Sequence, residues 1–356
     1  MVAPFRSMLT ESRSMRSDNR YARRDWLRCG ALVTAFTGTR ARSLAVSIGI
    51  SRNGRATVIR WDSESGNLLV AYDGLIDVID SRTQTPIQTL EVGMEKIFDI
   101  ALDPKCQRLL VAGGDPCQRG VVELREWPSG QMIHTDSYDS DVITRVRWSP
   151  HDDRWLETDW QGSCRIRDIA RPQLLNFGGH TRTVLATAWS HSQPWLATSG
   201  VEPAIQLWDT QSGALIRSLD LHTRTVIALA FVRPDQAEED FLISVGEDGT
   251  VRLWQPRIGR LVRFARLPSN PLFAEWMGQG LRVAVALVDG SVVEVDLEDL
   301  SIYPWIARDP NRILALTTSG NRQKLCLARS SGLSLHSYSI HHGTSEETLR
   351  RVKDNE

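Results

Sequence analysis

Two histidines occur within the same repeated stretch of sequence, and the first question is whether they are catalytic or metal-binding residues. His180 and His222 each open the stretch HTRTV, 42 positions apart, followed by a small-apolar run and an aromatic residue. An imidazole can act as a general base or bind a metal ion. A catalytic site, however, is built once per domain, whereas a repeated stretch indicates a repeated structural unit. We therefore predict that both histidines have a structural role.

The segments after the two histidines predict matching β-hairpins. They read WLATSGVEPAIQLWD at 195–209 and FLISVGEDGTVRLWQ at 241–255. Each has an apolar run, a tight turn and an alternating run, which is typical of two antiparallel strands. A further strand-like run lies before each hairpin and another after it. Each unit therefore has four predicted strands.

The hairpin turn recurs along most of the chain. Its seven copies are YDG at 72–74, CQRG ending at Gly120, and two-residue turns at 161–162, 202–203, 248–249, 289–290 and 331–332. A period of 40–45 residues with four strands per unit is typical of a propeller blade. One such sheet leaves both faces uncovered, and stacking the blades around an axis buries them. We predict an all-β, seven-bladed β-propeller of four-stranded antiparallel blades.

The last unit lacks an outer strand, and one unassigned segment can supply it. LAVSIGIS at 44–51 is strand-like and stands outside the seven units. We predict that it closes the ring as the outer strand of blade seven. The domain prediction is a basic leader at 1–43, the propeller at 44–340 and a polar tail at 341–356.

The chain resembles the WD-repeat β-propeller family. LWD at 207–209, DGTVRLW at 248–254 and the histidine that opens each of these blades match the family pattern, whereas other blades read VID, IRD and VEVD. The resemblance implies a hydrogen-bonded tetrad in blade five, formed by His222, Ser244, Asp248 and Trp254. Blade four keeps three of these residue types, but Glu202 and Pro203 replace the Asp-Gly pair. The three are His180, Thr198 and Trp208.

The resemblance also implies a platform for a protein or peptide partner, although this fold hosts many unrelated roles. Residues two places after each blade-initial position should line the rim: Asp141, Arg182 and Arg224. Trp160, in a hairpin turn, should face water, and Trp and Arg are enriched among binding hot spots. The alternative is that the arginines are ordinary surface charges and Trp160 packs between blades.

Signatures of common enzymes are missing from the sequence. It has no GxSxG, GxxxxGK[ST] or HExxH motif. We expect a non-catalytic scaffold with no cofactor and no metal. The alternative is an enzyme or a small-ligand-binding propeller with its site at the central channel. A cluster of carboxylates or histidines at the inner strand ends would favour that alternative, whereas an apolar or evenly mixed channel would favour the platform.

Charge and hydropathy indicate which classes of partner the chain is unsuited to bind. Residues 1–45 hold nine Arg against three acids, a charge of +6, so the remaining residues carry −7 and the whole chain −1. A body without a basic surplus does not suggest a nucleic-acid partner. The longest apolar runs, such as VAVALV at 283–288, are far shorter than the ~20 residues of a membrane span. We expect no membrane insertion and a monomeric propeller within a complex, with its five cysteines unpaired and buried.

The segment 21–45 resembles a twin-arginine export signal. Arg23 and Arg24 are followed by Trp26-Leu27, a mildly apolar stretch and a small-residue cleavage site at Ser43-Leu44-Ala45. Such signals are set apart from fold reasoning. The 38 Arg against four Lys favour a GC-rich bacterial genome. A cytoplasmic basic leader is the alternative, so the sequence leaves the periplasm and the cytoplasm both open.

Overall fold

Short strands joined by tight turns account for the part of the chain that can be described. The computed structural model describes residues 45–48, 56–139, 141–169, 171–178, 180–233, 239–278, 280–319 and 324–337. The predicted leader at 1–43, its twin-arginine motif and the tail at 341–356 lie outside these residues. In the described ranges no helix is long and apolar enough to cross a membrane.

The strands that the structure describes are 28 in number. They are β1 (Ala45–Ile48), β2 (Val58–Trp61), β3 (Leu68–Ala71), β4 (Leu75–Ile79), β5 (Pro86–Glu91), β6 (Lys96–Leu102), β7 (Arg108–Asp115), β8 (Arg119–Glu126), β9 (Met132–Tyr138), β10 (Ile143–Trp148), β11 (Arg154–Asp159), β12 (Cys164–Asp168), β13 (Arg171–Phe177), β14 (Val184–Trp189), β15 (Trp195–Gly200), β16 (Ile205–Asp209), β17 (Leu215–Leu219), β18 (Val226–Val232), β19 (Phe241–Gly246), β20 (Thr250–Gln255), β21 (Arg260–Arg266), β22 (Pro271–Trp276), β23 (Arg282–Leu287), β24 (Val292–Asp296), β25 (Ile302–Ile306), β26 (Ile313–Thr318), β27 (Lys324–Arg329) and β28 (Gly332–Ser337).

These strands form seven four-stranded antiparallel sheets, the blades of the predicted propeller. Blades one to six each take four consecutive strands, from β2–β5 to β22–β25. Blade seven has the order β1-β28-β27-β26. Its outer strand is β1, which pairs antiparallel with β28 from Ala45 opposite His336 to Ile48 opposite Leu333. The ring is thus closed by the segment that the sequence indicates, and the predicted fold class is confirmed.

The apolar core is distributed between blades. Strand β3 shows how: Leu69 packs in a cluster with blade two, whereas Leu68 and Val70 pack with blade seven. Successive residues of a strand point to opposite faces, so a fully apolar strand such as LLVA covers both neighbours. The described residues form seven such clusters, one at each junction of adjacent blades.

The antiparallel blades give the ring two rims. The turns between second and third strands lie at the same end as the links that enter each first strand, and we call this end the hairpin rim. The turns between first and second strands lie at the opposite rim. The first strand of each blade is innermost and faces the central channel.

The cysteines correct one expectation. Cys106, Cys164 and Cys326 are buried thiols, but Cys117 is exposed. It lies at the tip of the β7–β8 turn with a positive φ of 63°, beyond the strands that would cover it. Cys29 lies outside the described residues.

Candidate functional site

The residues that the family resemblance assigns to a tetrad in blade five are brought together. His222 lies in the link before β18, Ser244 on β19, Asp248 in the hairpin turn and Trp254 on β20. His222 Nδ1 lies 2.8 Å from Asp248 Oδ2, and its Nε2 lies 2.7 Å from Ser244 Oγ. Trp254 Nε1 donates to the same hydroxyl at 2.8 Å. Every member of this buried chain has a partner, which is the condition for a polar network to stabilise a core.

Burial sets the electrostatics of this network. It lowers the pKa of His222, against the opposing hydrogen bond with Asp248. Burial also works to raise the pKa of Asp248, but hydrogen bonds from Thr250 and His222 outweigh it and the pKa lies below its usual value. A neutral histidine held between a carboxylate and a hydroxyl has the same order of groups as a catalytic triad. Here Ser244 is fully buried, so no substrate can reach its oxygen.

Blade four has the same scheme with one contact missing. His180 Nε2 lies 2.7 Å from Thr198 Oγ1, and Trp208 Nε1 donates to that hydroxyl at 2.9 Å. Glu202 Oε2 stands 3.6 Å from His180 Nδ1, beyond hydrogen-bond distance. Among the described residues this buried nitrogen has no hydrogen-bond partner. The Glu-Pro turn therefore weakens the network, as its departure from Asp-Gly suggested.

Blade three contains a replacement that the sequence reasoning missed. Glu157 occupies the strand position of Thr198 and Ser244, and it accepts hydrogen bonds from Trp155 Nε1 at 2.6 Å and from Tyr138 Oη at 2.7 Å. Burial raises its pKa. The signal was the motif IRD at 166–168. This motif lacks the Trp that LWD has at 207–209, so a buried polar residue in the strand WLET needs a hydrogen-bond partner other than that Trp.

The predicted rim residues Asp141, Arg182 and Arg224 lie in the links that enter blades three, four and five. Arg182 and Arg224 are exposed in the links entering blades four and five. Asp141 is half-buried, and its Oδ1 accepts the backbone N–H of Cys117 at 3.2 Å and that of Val142 at 2.8 Å. It therefore fixes the link between blades two and three, and its carboxylate is less available to a binding partner than the guanidinium groups of the arginines are.

Trp160 is half-buried, where the sequence predicted a turn residue facing water. Its backbone N–H donates to Val142 O at 3.1 Å, and its carbonyl accepts the Thr183 hydroxyl at 2.7 Å. The turn is pressed against the next link, since a Cβ on Gly162 would stand 2.3 Å from Arg182 O. Trp160 and Arg182 are consequently neighbours on the hairpin rim.

The same contact repeats one blade further on. Thr225 Oγ1 donates to Val201 O at 3.2 Å, which joins the turn of blade four to the link that carries Arg224. Val201 is 41% exposed and Leu221 is 49% exposed. Two exposed apolar side chains thus come from the turn of blade four and from the link that carries Arg224, on the same rim as Arg182 and Trp160. We call these five residues the rim patch.

Inner-strand aromatics, another feature that was not predicted, tie blades together. Trp148 Nε1 donates to Ala101 O of blade two at 3.0 Å, and Trp189 Nε1 donates to Arg147 O of blade three at 3.3 Å. Both end their inner strands, and Phe231 is the second-last residue of β18 in blade five. The aromatic residue that closes each copy of the repeated decamer was the available signal.

The central channel holds a charged cluster. Asp99, fully buried, lies 2.9 Å from Arg60 Nη2 and also contacts Arg147 Nη1. Arg145 Nε donates to Leu185 O of blade four at 3.0 Å, and Glu275 accepts the N–H of Thr318 at 3.0 Å. These side chains line a cavity of about 660 Å³.

Charges in the channel act on one another. Burial works to raise the pKa of Asp99, but the guanidinium groups of Arg147, Arg60 and Arg145 outweigh it and lower that pKa. Burial raises the pKa of Glu275 to about 7, against the attraction of Arg60. Burial also lowers the pKa of Arg147 to about 10. The channel is neither apolar nor evenly mixed, because four of these five charged side chains come from blades one to three and Glu275 alone comes from blade six.

Metal chemistry finds no support in the described part of the chain. There, no three His, Cys, Asp or Glu side chains are grouped so that they could hold a metal ion.

Comparison with known proteins agrees with this geometry. The sequence model "WD domain, G-beta repeat" matches residues 171–209 and 213–255. In a solved structure titled "Crystal Structure of Mitotic Checkpoint Complex", one chain superposes with a TM-score of 0.69 at 16% identity, covering 95% of this chain and 98% of that one. The sequence match spans strands β13 to β20, and the superposition shows a shared fold.

Several similar proteins are named for the assemblies they join. "Target of rapamycin complex subunit wat1" from Schizosaccharomyces pombe is 31% identical over 44% of this chain and 48% of its own length. "SIR4-interacting protein SIF2" from Saccharomyces cerevisiae is 21% identical over 73% of this chain and 50% of its own length. "COMPASS component SWD3" from the same yeast is 25% identical over 34% and 38%. The chain thus spans half or less of the length of these relatives.

Proposed function

We propose that the chain is a non-catalytic protein-interaction scaffold that holds a protein or peptide partner on its hairpin rim. The observation that carries this proposal is the rim patch: Trp160, Arg182, Val201, Leu221 and Arg224, contributed by adjacent turns and links of blades three to five. Three relatives named as a complex subunit, an interacting protein and a complex component support the same class of function.

The chemistry of the patch specifies its partner. Two exposed guanidinium groups favour carboxylates, which they can bind with two parallel hydrogen bonds. Val201 and Leu221 offer apolar surface, and a half-buried Trp160 can bury the rest of its ring without much loss of side-chain freedom. We therefore propose an acidic segment with an apolar side chain between its carboxylates. The acidic balance of residues 46–356 argues against nucleic acid, and a single propeller in a larger complex is the proposed state.

Site-specific crosslinking tests this assignment. A photo-crosslinking residue replaces Arg224, or replaces Arg260 as a control, and the captured segment is identified by mass spectrometry in the native source. Arg260 is also exposed but begins the outer strand β21. A synthetic peptide of the captured segment is then titrated against the protein.

We expect Arg182→Glu with Arg224→Glu to weaken that peptide at least tenfold, since two charge-assisted contacts are lost. We expect Trp160→Ala to weaken it severalfold and Arg260→Glu to leave it unchanged. An equal loss with Arg260→Glu, or unaltered binding with Trp160→Ala, would remove the patch from the proposal.

Export is the proposal for the basic leader, supported by Arg23 and Arg24 and by the small residues at 43–45. The relatives are eukaryotic proteins and lend this proposal, and a bacterial source, no support. N-terminal sequencing of the native protein decides between the two compartments. A start near Val46 is the result expected of an exported protein, whereas a retained leader would leave a cytoplasmic scaffold.

A further inference from the structure

The wall of the central channel is divided into a charged side and an apolar side. Inner strands β2, β6 and β10 bring Arg60, Asp99, Arg145 and Arg147 to the cavity. The inner strands of blades four to seven face them across the axis. Apart from Glu275 of β22, the residues that they bring to the lining are largely apolar and include Leu185, Ile227, Leu229, Phe273 and Leu316.

The charged side has more positive charge and more donors than its own contacts use. Three guanidinium groups stand against two carboxylates, that of Asp99 beside them and that of Glu275, which comes from β22 of blade six, so at least one positive charge is left over. A guanidinium has five N–H donors. Within the described residues, Arg145 donates one hydrogen bond, from Nε to Leu185 O, and it also attracts the carboxylate of Asp99. Arg145 lines the cavity, so its remaining donors are within reach of a bound ligand.

One hydroxyl on the opposite wall also lacks a partner. Thr187 is 8% exposed and lines the same cavity. Its Oγ1 has no hydrogen bond within the residues described. A buried polar atom of this kind costs free energy unless something pairs with it.

The cavity has the size and access of a ligand site. Pockets for small molecules typically measure ~300–1,000 Å³, and this one measures about 660 Å³. Its lining continues into the turns after the inner strands, at Ser63, Pro150 and His191. It therefore opens at the rim opposite the rim patch.

We propose that the channel binds a small monocarboxylate with an apolar body. The carboxylate accepts hydrogen bonds from Arg145 and Arg147, and the body packs against Ile227 and Phe273 on the far wall. One negative charge offsets the single positive charge that the cluster leaves over. A dianion would exceed it and would gain nothing from the apolar side.

A purely structural role accounts for part of the cluster. Asp99 joins blades one, two and three through Arg60 and Arg147, and this contact needs no ligand. It does not account for the donors of Arg145 or for the apolar wall that they face. The test therefore centres on Arg145 and on ligands that separate charge from apolar surface.

Isothermal titration calorimetry of the full chain with octanoate tests the proposal. Acetate and inorganic phosphate carry charge without an apolar body, and octanol carries the body without charge. We expect octanoate to bind at least tenfold more tightly than each of the three. Acetate and phosphate lack the methylenes whose burial strengthens binding, and octanol lacks the charge that the guanidinium groups bind. Phosphate or octanol binding as tightly as octanoate would overturn the proposal, as would no detectable octanoate binding.

A matched pair of variants locates the site. Arg145→Gln should weaken octanoate at least tenfold, since a charge-assisted hydrogen bond is lost. Arg263→Gln is the control, because Arg263 also donates to backbone carbonyls of the next blade, those of Leu297 and Glu298, away from the channel. Equal affinity of the two variants would overturn the assignment, and the comparison among ligands on the unaltered chain holds even if Arg145→Gln fails to fold.

Glu275 supplies a second readout. A carboxylate bound nearby repels ionised Glu275 and favours its protonated form, so affinity should rise as pH falls through about 7. Octanoate remains ionised over that range, since its pKa resembles that of an ordinary carboxyl group. Strands β18 and β19 contain no charged residue, and β23 contributes Arg282, which pairs with Asp296. The groups facing Glu275 are Arg60 of β2, Arg147 of β10 and the N–H of Thr318 of β26.

We expect tighter octanoate binding at about pH 6 than at about pH 8 in the unaltered chain, and equal binding at both in Glu275→Gln. Equal affinity at both pH values in the unaltered chain would contradict a carboxylate beside Glu275.

Discussion

One serine hydroxyl organises the polar interior of blade five. Ser244 serves His222 and Trp254 at once, and Asp248 completes the chain from the hairpin turn. Thr198 serves His180 and Trp208 in the same manner in blade four, but the glutamate there stands 3.6 Å from the histidine. The two blades therefore form a natural comparison of a complete and an incomplete network.

Asp248→Asn should destabilise the protein more than Glu202→Gln does. The aspartate accepts a hydrogen bond in a buried site, and weakening it costs about 1–3 kcal/mol. Glu202 is partly exposed and keeps its contact with Thr181 as an amide, so we expect about 0.5 kcal/mol or less. Urea unfolding of both variants measures the difference. Equal losses would mean that His180 draws as much from its glutamate as His222 draws from its aspartate.

At the scale of the element, the inner strands share an irregularity that decides what faces the channel. The register with the second strand shifts near the start of β6, β10, β14, β18, β22 and β26, as between Ile97 and Asp99 or between Ile143 and Arg145. A β-bulge inserts one residue and re-aims those beyond it. The bulge, repeated in six blades, sets the positions of Asp99 and Arg145.

This bulge marks the limit of what the sequence predicted. The seven hairpin turns and the 42-residue period predicted the fold, and the resemblance to the WD-repeat family implied the tetrad of blade five. Strict alternation through an inner strand does not account for an inserted residue, so it cannot say which side chains reach the channel. Arg60, Asp99 and Arg147 moreover come from three consecutive blades and meet because the inner strands β2, β6 and β10 stand side by side. No local pattern contains that information.

The outer strand of blade seven gives the prediction that belongs to this scale. A chain that starts at residue 52 lacks β1, whereas a chain that starts at residue 44 keeps it. We expect the shorter chain to melt at least 10 °C lower, because blade seven loses its outer strand and the ring loses the β1–β28 pairing that closes it. The chain that starts at residue 44 serves as the control in the same thermal melt. Equal melting temperatures would mean that β1 contributes nothing to closure.

For the molecule as a whole, the two proposed sites lie at different places and are chemically distinct. The rim patch presents two arginines and apolar side chains on the hairpin rim, whereas the channel opens at the opposite rim. A partner on one rim and a small carboxylate in the channel can therefore be bound together. Variants of Arg182 and Arg224 should leave octanoate affinity unchanged, so failure of one proposal is separable from failure of the other.

The pairing of β1 with β28 has a consequence for how the protein is made. Ile48 and its partner Leu333 are 285 residues apart, and at about 5–20 residues per second a ribosome needs roughly 15 to 60 s to deliver the second after the first. Throughout that interval the side of blade one that ends against blade seven, with Ile59, Leu68 and Val70, stays uncovered. Until then the nascent chain is an open row of blades with an exposed apolar face at each end. It can close into a ring only when β28 has left the ribosome. A chaperone that shields those ends during translation would protect this protein at its most vulnerable moment.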